Sequence, residues 1–388
     1  MVRTMQTALM MRAVVLRAGE LLVKDIPEPE LGPGQLLVEP IATGICGGDL
    51  SVRQHTADFL REKAAIGATG SVFDPDKDLV LGHEFTSRVL EVGPRAIGYA
   101  PGDNIVTLPH VVDREGVRRT VGHSNDYPGG LAERVVVQAE GHLLIPDGVP
   151  ADLAAVTEPM ATGLNGVLRS HIEVPAGAIV TGCGPVGLGS VVELRQRGIY
   201  PVVASDPSPL RRQVALELGA DKAVDPAATD PVSIWMDLAD RKQQLYVFEA
   251  SGSRGILNTL MYTVPPFSRI FVVGANMLDE SIRTLVGVSK NVAIEFVGGP
   301  GPGDSKYHAL DAMLRHIARG SFDPRSVVTG CTGYEGVPQL FDLLRRDDPH
   351  GIDQIKVLVR HDLDSAAIHS YDEARRLTGV CIEPSDGI

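Results

Sequence analysis

The stretch GAIVTGCGPVGLGSVVELRQRG, residues 177–198, passes from an apolar segment through a cluster of glycines into a segment of helical spacing. It reads as strand, tight turn and helix in immediate succession. The alternation continues C-terminally. PVVASD (201–206) reads as a strand, LRRQVALELG (210–219) as a helix and KAVD (222–225) as a short strand. LYVFEAS (245–251), RIFVVGA (269–275) and VAIEFVGG (292–299) follow as further strands. Strands and helices alternating at this length specify a doubly wound α/β domain, a parallel sheet covered on both faces.

Gly182, Gly184 and Gly187 stand in G-x-G-x-x-G spacing, with Pro185 and Val186 between the last two. The first glycine permits the tight turn, the second lets a pyrophosphate approach the backbone, and the third allows close helix–strand packing. In a chain with 42 glycines the spacing alone also arises by chance. Its context adds weight: Asp206 follows at the end of the next strand, where a carboxylate accepts ribose hydroxyls and repels a 2′-phosphate. The turn is therefore expected to bind NAD rather than NADP, a preference softened by Arg211 and Arg212 close by.

N-terminal to this domain, over residues 11–141, the texture is short β-like runs between Gly/Pro turns, among them RAVVLRA, QLLVEPIA, SRVLEVG, DNIVTLP and LAERVVVQ. That pattern predicts a barrel-like β domain. Residues 53–79 interrupt it with a polar, partly helical excursion of the kind that forms binding loops or lids. A helix is expected at about 306–319, and the final part returns to short mixed elements that complete the first domain. The expected division is 1–165, 166–303 and 304–388.

A formal net charge of −13 and a pI near 5.3 make nucleic acid an improbable partner. Membrane spans and a signal peptide are not expected either. The four cysteines are Cys46, Cys183, Cys331 and Cys381. They form no CxxC pair, which fits a reduced, cytoplasmic setting.

Cys46 sits in TGICGGDL, 43–50, and LVLGHEF, 79–85, supplies His83 and Glu84. A thiolate and an imidazole suit zinc, and a third protein ligand with one open position would make such a site catalytic. VTEPMATG contributes Glu158 where the β domain gives way to the dinucleotide domain. Each residue alone also has a plain structural reading: Cys46 as a small buried hydrophobe, and the His–Glu pair as a turn with a solvated acid.

Together, GICGGD, GHEF, GGLAE, EPMATG and GCGPVG come in an order that resembles the zinc-containing medium-chain alcohol dehydrogenases. The pattern is most similar to the branch with sorbitol, threonine and glucose dehydrogenases, and it covers about residues 11–360. The resemblance implies a GroES-like catalytic domain joined to a Rossmann domain. It further implies one catalytic zinc held by Cys46 and His83, with Glu158 bound directly or through water and Glu84 able to exchange in. Asp49 would support the metal site through hydrogen bonds. The implied reaction is hydride transfer between a secondary alcohol, polyol or sugar and NAD, in a homodimer or homotetramer.

The chain also departs from that pattern. TLPHVVDREGVRRTVGHSNDYPGG, 107–130, has no cysteine where relatives hold a structural zinc, so none is expected. His110, Asp113, His123 and Asp126 there could in principle bind metal, but the expected reading is that they are solvated loop residues. Ser87 and Arg88 replace a glycine and an apolar residue. Gly48 stands where the family carries a Ser or Thr that bonds the substrate oxygen, and Ser51 where some relatives place a relay histidine. Either another group, such as Glu84 or His55, takes over that proton, or the enzyme reduces a conjugated C=C or C=N bond instead. A non-catalytic nucleotide-binding redox sensor is the third possibility. Glu249 is expected to face solvent and Cys183 to pack as a small side chain; Cys331 and Cys381 have no expected role.

Overall fold

A computed structural model describes residues 9–274, 280–298, 305–344 and 353–379. Cys381, Ala275 and Asn276 lie outside them. The chain divides into two compact units. The first comprises Met1–Ala155, Val328–Arg345 and Val357–Ile388; the second comprises Val156–Val327 and Arg346–Lys356.

In the second unit, a six-stranded sheet forms among the described residues, with every neighbouring pair parallel. Ala176–Thr181 and Gln244–Glu249 are its centre. Val202–Ser205 and Lys222–Val224 lie to one side, Arg269–Val272 and Ala293–Phe296 to the other. Numbered along the chain, the strands run 3-2-1-4-5-6, the doubly wound order whose ligand crevice lies at the carboxyl ends of the central strands. The central strands are buried along nearly their whole length, as continuous apolar runs in a two-face-covered sheet must be. Trp235 packs tightly here: a Cβ on Gly177 would lie 2.4 Å from its Nε1.

The helix Ser305–Ala318 belongs to this unit rather than to the segment that returns to the first. It buries Ala309, Leu310, Met313, Leu314 and Ile317 and packs on the helix Thr157–Ser170. His316 reaches Glu193 at 3.0 Å.

The first unit is built around the strand Gln35–Gly44, which pairs antiparallel with Glu84–Val92, Val135–Gln138 and Lys356–Arg360. Leu36, Val38, Phe85, Val89, Ile105 and Val135 fill its core. The return of the chain is fixed by polar contacts as well as strand pairing. Buried Arg360 donates to Asp152 at 3.0 Å and to Asp362 at 2.6 Å, while the Tyr371 hydroxyl donates to Asp152 at 3.1 Å. The excursion after Cys46 folds into helices Gly47–Gln54 and Thr56–Ala65 and a short turn Thr69–Ser71. Asn125 ties its far end down by donating to the carbonyls of Asp74 and Asp78.

Candidate metal centre and nucleotide turn

Cys46 caps the helix Gly47–Gln54. Its Sγ accepts the Gly48 N–H at 3.3 Å, and its own N–H donates to Asp49 Oδ2 at 3.0 Å. This reciprocal capping places the thiol at a helix N-terminus, where negative charge is favoured. Asp49 is fully buried, and its Oδ1 meets His83 Nδ1 at 3.1 Å and the Gly82 N–H at 3.4 Å. With Nδ1 engaged, Nε2 is the ring nitrogen left to face a cation, an arrangement that fixes both tautomer and ring direction. Glu84, buried, opens the next strand. Donor atoms of Cys46, His83 and Glu84 all lie within 4.8 Å of one another.

These groups set one another's charge. Burial, then the Glu84 carboxylate, push the Cys46 thiol up against the pull of His83. Burial opposes charge on His83, yet Asp49 and Cys46 outweigh it and hold the imidazole well above its ordinary value. The donor set of one sulfur, one nitrogen and one oxygen fits zinc, and a dication among such donors offsets the cost of a buried thiolate.

Glu158 belongs to the second unit, in the first turn of Thr157–Ser170, where its carboxylate accepts from Lys306 Nζ at 2.8 Å. His55 is exposed. His110 and His123 are 8% and 9% exposed, so the expectation that they are solvated is corrected. Asp113 accepts from Arg119 Nε at 2.7 Å, whereas Asp126 is exposed as expected. His123, expected in solvent, instead packs beside the candidate ligand: its ring lies 5.2 Å from that of His83.

The three glycines of the second unit differ in their surroundings. Gly182 has φ +84°, and a Cβ there would strike the Ser251 backbone at 2.7 Å. On Gly187 a Cβ would lie 1.8 Å from the Gly182 carbonyl oxygen. Nothing lies within 4 Å of the corresponding position on Gly184, which caps the helix Pro185–Gln196. That is the open backbone a phosphate needs. Asp206 is buried, its Oδ2 accepting the Cys183 N–H at 2.7 Å and its Oδ1 the Ser208 N–H at 2.8 Å. Each oxygen retains a lone pair for a ribose hydroxyl. Glu249 is also buried, contrary to expectation, and binds the N–H groups of Ser251 and Gly252.

Residues 32–147 match the family model described as alcohol dehydrogenase GroES-like domain, and 185–315 the one described as zinc-binding dehydrogenase. L-Threonine 3-dehydrogenase of Pyrococcus abyssi is 31% identical over 66% of this chain and 72% of its own length. The chain belongs to the zinc-containing medium-chain alcohol dehydrogenases. (R,R)-Butanediol dehydrogenase of Neisseria gonorrhoeae is 28% identical over 66% of this chain and 74% of its own. The crystal structure of 2R,3R-butanediol dehydrogenase from Bacillus subtilis superposes with a TM-score of 0.72 at 26% identity, covering 90% of this chain and 99% of that one. As a member of this family the chain is an oxidoreductase using zinc and a nicotinamide cofactor, built from a GroES-like domain and a Rossmann-type parallel sheet.

Proposed function

We propose that the enzyme transfers a hydride between NAD and a secondary alcohol bearing a further polar group, such as a diol, polyol or sugar. The observation that carries this reading is the convergence of Cys46, His83 and Glu84 on one point, with Asp49 behind His83. Relatives named for threonine and for butanediol support the substrate class. Zinc, when bound, supplies a Lewis acid for the substrate oxygen. Cys46, His83 and Glu84 hold it, Asp49 fixes the His83 tautomer, and Glu158 is retained as a further ligand on the family pattern alone. The nicotinamide cofactor supplies the hydride acceptor.

NAD is favoured over NADP by the chain's own side chains. The Asp206 carboxylate opposes a 2′-phosphate. Arg212 is committed to the carbonyls of Asp206 and Pro207, and Arg211 to that of Gln354. A Sinorhizobium meliloti protein, 25% identical with a TM-score of 0.73, was solved bound to NADP, so NADP is the cofactor against which NAD is assayed. A single catalytic zinc per chain, a cytoplasmic setting and a homo-oligomer complete the proposal.

The test pairs metal analysis with an activity screen. About one zinc per chain, and NAD reduction by vicinal diols at a kcat/KM well above that with NADP, is the expected result. Zinc-replete protein that ignores alcohols and reduces enones would replace it with the double-bond reductase reading that Gly48 raises.

A further inference from the structure

The loop after the strand Arg118–Thr120 presses on the turn that presents His83. A Cβ on Gly122 would lie 2.9 Å from the Gly82 carbonyl oxygen, so the two backbones touch immediately before His83. The next residue, His123, lays its ring against that of His83, with centroids 5.2 Å apart and planes inclined at 58°. Phe59 meets His123 edge-on at 5.3 Å, and Phe73 backs Phe59 at 6.1 Å. Phe59 is the one buried residue of the helix Thr56–Ala65, so this contact anchors that helix.

The nitrogen of His123 points to what the ring does. Nε2 is buried and has no hydrogen-bond partner. Nε2 therefore contributes no hydrogen bond to the site, and the contact His123 does make with His83 is the packing of its ring. The hydrogen bond that His83 Nδ1 donates to Asp49 directs the His83 ring but leaves it free to tilt about that contact; a ring packed against it restricts the tilt.

We infer that His123 is a positioning residue for the metal ligand His83, and that the helical insertion reaches the metal centre through Phe59 and His123. This gives the excursion at 53–79 a role as a brace for the metal site. The inference rests on the metal reading of Cys46, His83 and Glu84. A competing possibility is that His123 is itself a ligand, since one of its nitrogens lies within 4.8 Å of donor atoms of both Asp49 and His83.

The experiment measures zinc affinity by chelator competition, and the visible spectrum of the cobalt(II)-substituted protein, for wild type and for His123→Phe, His123→Ala and Phe59→Ala. Loss of the brace in His123→Ala and Phe59→Ala is expected to weaken zinc binding about 10- to 100-fold and to shift the cobalt bands. His123→Phe keeps the ring and loses the unpaired nitrogen. It is expected to bind zinc close to the wild-type value and to melt at the wild-type temperature or above. Should His123→Ala fail to fold, the contrast between Phe59→Ala and His123→Phe decides the matter. Loss of zinc in His123→Phe would make the nitrogen a ligand and overturn the inference. Unchanged zinc binding in all variants would overturn it equally. A wild-type protein that binds no zinc would overturn the metal reading and this inference together.

Discussion

Gly48 stands where the family pattern implies a Ser or Thr hydroxyl. A Cβ placed there would sit 3.6 Å from both Cys46 Sγ and His83 Cε1, in ordinary contact. The site therefore has room for a side chain it does not use. Positioned proton transfer contributes ~10²–10⁴ in rate, so the lack of a hydroxyl at this place has a measurable consequence. Gly48→Ser is expected to fold as well as wild type and to raise kcat for alcohol oxidation about tenfold, a fraction of what a fully tuned relay supplies. Steady-state kinetics across pH checks it. An unchanged rate would show that another group already takes the proton, and gain of enone reduction instead would favour the reductase reading.

At the scale of the element, the strand–turn–helix at 177–198 was legible because its logic is local: each glycine answers to atoms close to it in sequence or on the adjoining strand. The same locality makes the three glycines separable by mutation. Gly184 has φ −71°, open to any residue, and space around it. Gly184→Ala is expected to change stability by no more than about 1 kcal/mol, as cap preference and chain entropy oppose each other. It should nonetheless weaken NADH binding about tenfold, by setting a methyl where a phosphate approaches. Gly187→Ala forces helix and strand apart and should cost at least about 2 kcal/mol together with NADH binding. Thermal melts and NADH fluorescence titrations distinguish the two; equal loss of stability in both would refute the assignment of roles. What could not be read from sequence depends on distant partners. Lys306 meets Glu158 across 148 residues. His123 is buried only because Phe59 and His83 arrive beside it from other segments. Polarity predicted solvent for both His123 and Glu249, and long-range packing overrode it.

For the whole molecule, the two-unit plan was legible from the change in periodicity, but its boundaries were not. The helix Ser305–Ala318 looks the same in sequence whichever unit it joins; its apolar face against Thr157–Ser170 decides for the second. The oligomer expected from the family pattern also has a physical basis in that unit. Ala293–Phe296 ends the sheet among the described residues, pairing there only with Arg269–Val272. An unprotected edge invites another strand, and self-pairing of one edge about a two-fold axis closes the assembly. The preceding helix Thr284–Lys290 buries none of its residues, and Leu285 and Val288, one turn apart, are 77% and 74% exposed, while Phe296 on the edge strand is 65% exposed. So much exposed apolar surface around an open edge is costly in a monomer. The full-length enzyme is therefore expected to sediment as a dimer or a larger even-numbered species at micromolar concentration. Phe296→Lys combined with Leu285→Lys should convert it to monomers, because two charges from each protomer, four in all, would have to be buried across each interface. Sedimentation velocity with zinc content measured in parallel gives the answer. A monomeric wild type would remove the edge-pairing model, and a dimer that survives both lysines would move the interface elsewhere.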